Sequence, residues 1–397
     1  MLLSGPVTSA AAEFEIAPGG FTARMLDAGG EPELRAGAHP DRVEIDFALN
    51  LDESTPRDLV FDLPAGLGMN AAAVPLCSRA VVEAKEECPP ESRVGSLEIT
   101  RSGGAKTELP LFELETAPGQ PMAVGTMPSF SLPVNTELRP TDLGITVAVN
   151  DLPSEPITAG HLELWGVPAD HQVGTSIERR ALLTAPPACG PLSFEFRTRS
   201  WDEEALWLSA SAETAPLAGC ESLRFEPGVG VQLGDPVADS PTGLRMELTM
   251  PGEAGPDELA QAPIQSATVA MPAGIGLSAG GAALLATCSD AQVGLGEGSA
   301  AQCPPASRIG SVEFVTPAIT GALGGTIYLG EERPGQRFRV FIVIDAAGAF
   351  VKLVTALDVG AGGDRLVAAL QGLPPLPINL IAMSFDGGPG ALLASPL

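Results

Sequence analysis

Six cysteines, three histidines and a scatter of carboxylates are the residues of this 397-residue chain that could do chemistry. The cysteines fall into local couples: Cys77 with Cys88, Cys189 with Cys220, and Cys288 with Cys303. Couples of this kind predict disulfides. The passages around the first and third couples are alike, which makes those pairings equivalent and leaves Cys189 and Cys220 for each other. The competing readings are free core thiols and a metal site. No Cys-x-x-Cys spacing occurs and the histidines are not grouped near the cysteines, which weighs against a metal. Each disulfide would close a loop of roughly 12 to 32 residues, worth on the order of 3 to 4 kcal/mol in the chain-entropy model. An oxidising, extracytoplasmic compartment follows.

The remaining reactive side chains lack the company that catalysis needs. His161 alternates with Leu162 and Leu164 as on a strand, and Asp170-His171 follows Trp165-Gly166-Val167-Pro168. Sequence neighbours cannot form the oriented relay of a Ser-His-Asp triad. His39 precedes Pro40 and reads as a turn residue. Glu203-Glu204 and Glu331-Glu332 would suit a glycosidase only if two acids faced each other across a cleft. There is no His-Glu-x-x-His, no phosphate loop and no calcium loop. Gly103-Gly104-Ala105-Lys106-Thr107 reads as a hairpin turn, and the glycine-dense stretches at 228–234 and 274–281 read as loops. No catalytic residue, cofactor-binding residue or metal ligand is assigned, and the expectation is a protein that is not an enzyme.

What must position the cysteines is a passage written twice. Residues 74–99 read VPLCSRAVVEAKEECPPESRVGSLEI, and residues 284–314 read LLATCSDAQVGLGEGSAAQCPPASRIGSVEF. Aligning Cys88 with Cys303 sets an offset of 215 residues, which also brings Leu63-Pro64-Ala65-Gly66 near Met271-Pro272-Ala273-Gly274. Downstream, 152–166 resembles 373–388, with Trp165 answering Phe385 and so expected in the core. Internal repetition of this kind speaks for scaffold before chemistry. The expected organisation is a leader remnant or flexible segment at 1–19, a β-rich unit at 20–220 and a second at 221–397.

The chain is 45% hydrophobic and 18% charged, enough for a core. Its 46 Gly and 38 Pro punctuate short alternating runs such as Val43, Ile45, Phe47 and Leu49, Ile145 to Val149, Phe194 and Phe196, Leu206 and Leu208, and Phe338 to Ile344. Period-two alternation at this turn spacing predicts an all-β fold: two tandem homologous units of antiparallel β-sandwich type. Short helices are expected within 71–85 and 280–292, near the repeat cysteines, stopped by Cys-Pro-Pro. Trp201 and Trp207, six residues apart, are expected on one side of a strand against the Cys189–Cys220 disulfide.

The formal net charge is −27, with 49 acidic and 22 basic residues. Such a surface repels phosphate backbones, so no nucleic acid is expected as a partner. No run of about twenty apolar residues occurs, so no membrane span is expected. The N-terminal SGPVTSAAA ends like a signal peptide but lacks a basic region, which predicts a shortened or misplaced start.

The motif C-P-P-x-S-R-[VI]-G-S, with DLPAGLG before it, AGAHPD, LWGVPAD and the closing FDGGPGALLASP, resembles large secreted or surface-anchored repeat proteins of bacteria with GC-rich genomes. The resemblance covers nearly the whole chain and implies export and repetition, without any catalytic residue. It also implies a further cysteine beyond the last motif. Leu397 comes before a counterpart of Cys189, so either the chain is shortened or the second unit caps an array. The expected function is an exported, non-enzymatic structural or binding module of the cell envelope or an extracellular assembly. Its partners would be other envelope or extracellular proteins, itself, or glycans. A polysaccharide-binding or polysaccharide-degrading protein is the first alternative. A filament or lattice subunit, with segment 1–20 as a donated strand, is the second.

Overall fold

The computed structural model describes residues 14–51, 54–116, 121–126, 134–139, 141–234, 237–251, 255–319, 321–336, 338–346, 349–359, 365–371, 373 and 377–395. The chain is all-β. Its first strands are β1 (Glu15–Leu26), β2 (Arg42–Asn50), β3 (Pro56–Asp62), β4 (Gly68–Met69), β5 (Arg93–Arg101), β6 (Lys106–Leu114) and β7 (Ala123–Thr126). There follow β8 (Val134–Leu138), β9 (Ile145–Val149), β10 (Ile157–Trp165), β11 (Leu183–Thr184), β12 (Ser193–Ser200) and β13 (Leu208–Glu213). The second half contains β14 (Gly228–Leu233), β15 (Pro241–Thr242), β16 (Leu244–Thr249), β17 (Ser266–Ala270), β18 (Gly276–Leu277) and β19 (Arg308–Val315). It closes with β20 (Leu323–Leu329), β21 (Phe338–Ala346), β22 (Ala349–Val359), β23 (Leu366–Gln371), β24 (Leu380–Phe385) and β25 (Leu393–Ala394). Among the described residues four short α-helices join them: α1 (Arg79–Ala84), α2 (Pro168–His171), α3 (Ala279–Ala282) and α4 (Asp290–Val293).

The first half forms a six-stranded sheet, β1-β2-β10-β5-β6-β7, and a five-stranded one, β8-β9-β3-β12-β13. The second half forms a nine-stranded sheet, β14-β16-β24-β19-β20-β21-β22-β23-β17, and a three-stranded one, β15-β25-β18. Read along the strands, the two halves follow one order. The first breaks into two sheets between β7 and β8 where the second continues from β21 into β22 through a hairpin. Where the first half divides these strands between two sheets, the main sheet of the second half runs unbroken over nine strands among the described residues.

Each element of the repeated motif has the same structural task in both halves. Pro90 and Pro305 occupy the first position of a short 3₁₀ turn, where a missing N–H costs nothing. The buried Ser92 and Ser307 hydroxyls donate to the carbonyls of Pro89 (2.6 Å) and Pro304 (2.7 Å). Gly95 and Gly310 follow a register shift in β5 and β19. A Cβ on Gly95 would lie 2.0 Å from the Glu163 carbonyl oxygen, and one on Gly310 would lie 2.3 Å from that of Ser384. Only glycine fits so near a neighbouring backbone.

The three disulfides join Cys77 to Cys88, Cys189 to Cys220 and Cys288 to Cys303. Two of them staple small satellite cores to the outer faces of the sheets. Cys77 and Cys88 cover Phe112 of β6, whereas Cys288 covers Phe341 and Val343 of β21. This explains why β21 is apolar almost throughout: Val340, Ile342 and Ile344 face the main core while Phe341 and Val343 face the stapled loop.

Several expectations change. The main core is continuous across both halves rather than one core per unit, because Leu138 and Leu143 enter an apolar cavity of about 50 Å³ beside Val312, Phe314, Ile319 and Leu323 of the second half. Residues 15–19 belong to β1, paired through Glu15 with Asn50 and Ile16 with Leu49, so they are neither leader nor free donor strand. Residues 1–13 lie outside the described residues. Helix is confined to Arg79–Ala84 within 71–85, capped by the Ser78 side chain. Within 280–292 the helix is divided between the end of α3, capped by Ser278, and α4, which starts only after its Ser289 cap because Cys288 is held in backbone pairing with Leu329 and Glu331. Among the described residues no helix is long and apolar enough to cross a membrane.

Candidate functional site: the cleft between the halves

A cleft of about 540 Å³ opens where the halves meet. Its floor is the β4–β11 ribbon, represented by Gly68, Met69 and Thr184. One wall is the 178–181 segment, and the other is formed by proline-bearing loops at Pro251, Pro256, Pro263 and Pro377. Proline fixes the backbone of that second wall. Two backbone contacts hold the walls in place: the Ala260 amide donates to Gly37 (2.7 Å) and the Ala71 amide to Pro317 (3.0 Å).

Inside the cleft, His39 Nδ1 lies 3.1 Å from the Leu183 carbonyl and 3.1 Å from the Thr184 hydroxyl. Asn70 is fixed by donating to the Ala181 carbonyl (3.2 Å) and accepting from the Ala72 amide (2.9 Å). Arg179 pairs with Asp170 (2.7 Å) and reaches across the cleft mouth to Asp257 (2.9 Å). Hydrogen bonding to Arg179 holds the Asp257 carboxyl below its usual range. Arg180 pairs with Glu178 (2.7 Å). The site is a hydrogen-bonding pocket with paired guanidiniums, the three side-chain amides of Asn70, Gln261 and Asn379, and one imidazole.

A second constellation covers the outer face of the six-stranded sheet. The register aligns Thr22, Asp46, His161 and Glu98 in one row, and Arg24, Glu44, Glu163 and Ser96 in the next. Ligand atoms of Glu44, His161 and Glu163 lie within 4.8 Å of one another. Each already has a partner: Glu44 accepts from Arg42 and Arg24 (both 2.8 Å), His161 meets Asp46 (2.7 Å), and Glu163 accepts from Trp165 (2.8 Å). These contacts make a cross-strand charge ladder. The alternation in 42–48 and 159–165 was visible in the chain, but which strands stand side by side was not.

Glu113 is the third notable group. It is fully buried on the core face of β6, and neither carboxyl oxygen has a hydrogen-bond partner among the described residues. Burial pushes it up to about 8. Nothing in the sequence distinguished it from the other acids, since its burial depends on the strand's facing.

The remaining expected site residues are dispersed. His171 stacks on Trp165 at 5.1 Å and approaches Asp41, while Asp170 serves Arg179. Trp165 is buried but sits on the outer face, with Arg93 over its ring at 5.0 Å. The register matches Leu164, not Trp165, with Phe385, since both pair with the motif glycine, and a shift of one residue turns a strand's side chains to the opposite face. Trp201 and Trp207 flank the turn between β12 and β13, at the far end of that hairpin from Cys189–Cys220. They do not share a strand. Each ring is covered by a guanidinium, Arg57 at 4.8 Å and Arg199 at 4.7 Å. Glu203 and Glu204 lie in that same turn, where Glu204 pairs with Arg57 (2.6 Å). Glu331 sits beside Cys288 through its backbone amide (3.0 Å). Gly103 and Gly104 form the expected hairpin turn, both at positive φ. Compared with protein-family models, curated proteins and solved structures, the chain matches none.

Proposed function

We propose that this chain is an exported, non-enzymatic structural or binding module of a bacterial cell envelope or extracellular assembly, built from two copies of one β unit. The observation that carries this reading is the repeated motif, whose cysteines, prolines, serine and glycine hold backbone in both halves. Selection has thus written scaffold twice. The common strand order supports duplication, and three disulfides support an oxidising compartment. The partners are other envelope or extracellular proteins, met through loops and sheet edges.

A glycan-binding reading gains less support, because the half-exposed Trp201 and Trp207 each present a ring face to an arginine rather than to solvent. The test is intact mass after thiol alkylation, with and without reduction, on protein recovered from its native host, together with fractionation of that host. Three disulfides on protein from the envelope or medium are expected. Alkylated thiols on cytoplasmic protein would remove the compartment argument.

A further inference from the structure

The halves differ most at one place in the sheet. In the first, β12 lies along the outer side of β3 over six residue pairs, from Glu195–Asp62 to Ser200–Pro56. Its neighbour β13 packs on β1. The β12–β13 hairpin therefore fills the gap between the end strands β3 and β1. Phe194 and Phe196 are its fully buried anchors. The Phe196 ring lies 5.5 Å from Phe21, 5.3 Å from Phe47 and 5.0 Å from Phe61.

In the second half the matching end strands are β17 and β14, and among the described residues neither has a strand on its outer side. The register puts Val229, Val231 and Leu233 where β1 has Phe21, Ala23 and Met25. The β1 residues are 6%, 7% and 2% exposed, whereas their counterparts are 72%, 43% and 38% exposed. On β17, Ser266, Thr268 and Ala270 are exposed. Natural edges are guarded by charge, proline or bulges. β14 (GVGVQL) and β17 (SATVA) contain no charged residue and no proline, and their pairings show no register shift.

We propose that the second half is a strand acceptor. The gap between β17 and β14 receives a β-hairpin whose first strand carries two large apolar residues two positions apart, as β12 carries Phe194 and Phe196. Main-chain hydrogen bonds to β17 supply affinity, and the apolar face of Val229, Val231, Leu248 and Val269 supplies selectivity. This inference rests on the reading of the halves as copies of one unit.

The probe is a synthetic peptide of residues 191–214, the chain's own β12–β13 hairpin without cysteine, titrated into the intact chain. Expected are saturable binding of one peptide per chain and slowing of amide exchange at 266–270 and 228–233 by about tenfold or more. A peptide with Phe194→Ser and Phe196→Ser should bind about tenfold or more weakly. The chain variant Val229→Glu with Val231→Glu changes side chains already exposed, so it should retain wild-type exchange elsewhere while losing the peptide. Three results would overturn the proposal: no saturable binding, protection at 56–62 instead of 266–270, or a 266–270 edge already covered in a self-associated chain seen by light scattering. None of them touches the disulfide count, so failure here is separable from failure of the export reading.

Discussion

Glu113 and Leu329 hold the same place in the two halves. The Cys77 amide donates to the Glu113 carbonyl at 2.9 Å, and the Cys288 amide to the Leu329 carbonyl at 2.8 Å. Both side chains are buried. One half thus carries a carboxyl where the other carries a leucine, so the fold itself does not require the acid.

Replacing Glu113 by Leu is therefore expected to stabilise the protein, increasingly as pH rises. The folded carboxyl, raised from 4.5 to about 8, binds its proton more tightly than the unfolded one. Its cost is absent below the unfolded value and grows between the two values, at up to about 1.4 kcal/mol per pH unit. Urea unfolding at pH 5, 6, 7 and 8 reads the gap between Glu113→Leu and wild type, on the order of 3 kcal/mol at the upper end. A gap that stays constant with pH would show the carboxyl ionised in the folded state.

Gly310→Ala and Gly95→Ala should each cost about 2 kcal/mol or more, because the new methyl meets a neighbouring strand's backbone and not a side chain that can swing aside. Gly324→Ala is the control, with open space at its Cβ. Thermal unfolding of the three variants checks the order; equal midpoints would mean that the strands part without loss.

Phe196→Ala should cost about 3 to 5 kcal/mol, since it empties the space among Phe21, Phe47 and Phe61. Because the core runs from one half into the other, unfolding should remain a single transition when followed by fluorescence and by circular dichroism. Two separated transitions would show independent cores.

Removing the third disulfide by Cys288→Ala with Cys303→Ala should lower stability by about 3 kcal/mol. Exchange should rise first at Phe341 and Val343, the residues beneath the stapled loop. Uniform loss of protection along the chain would argue that the staple serves the whole fold and not this satellite core.

The twice-written passage, the cysteine couples and the strand-forming runs were legible because each is local. Cys-Pro-Pro at equal spacing, alternation of period two and turn residues act within a few positions of the chain. Helix extent was less legible: the stretch before Arg79 has good helix formers, but Cys77 is drawn into pairing with Glu113 and Glu115. The facing of Trp165 was missed for a related reason, since one residue of register separates core from outer face and only the partner strand sets that register.

The sequence by itself determined an all-β, disulfide-stapled chain with a passage written twice, because propensity, turn chemistry and cysteine spacing depend on neighbours along the chain. Tertiary structure alone decided that Glu113 is buried, that Glu44, His161 and Glu163 meet, that the halves share a core around a cleft, and that among the described residues β14 and β17 end their sheet. Those outcomes depend on which strands lie side by side, and strand pairing is a long-range choice settled by packing across the molecule.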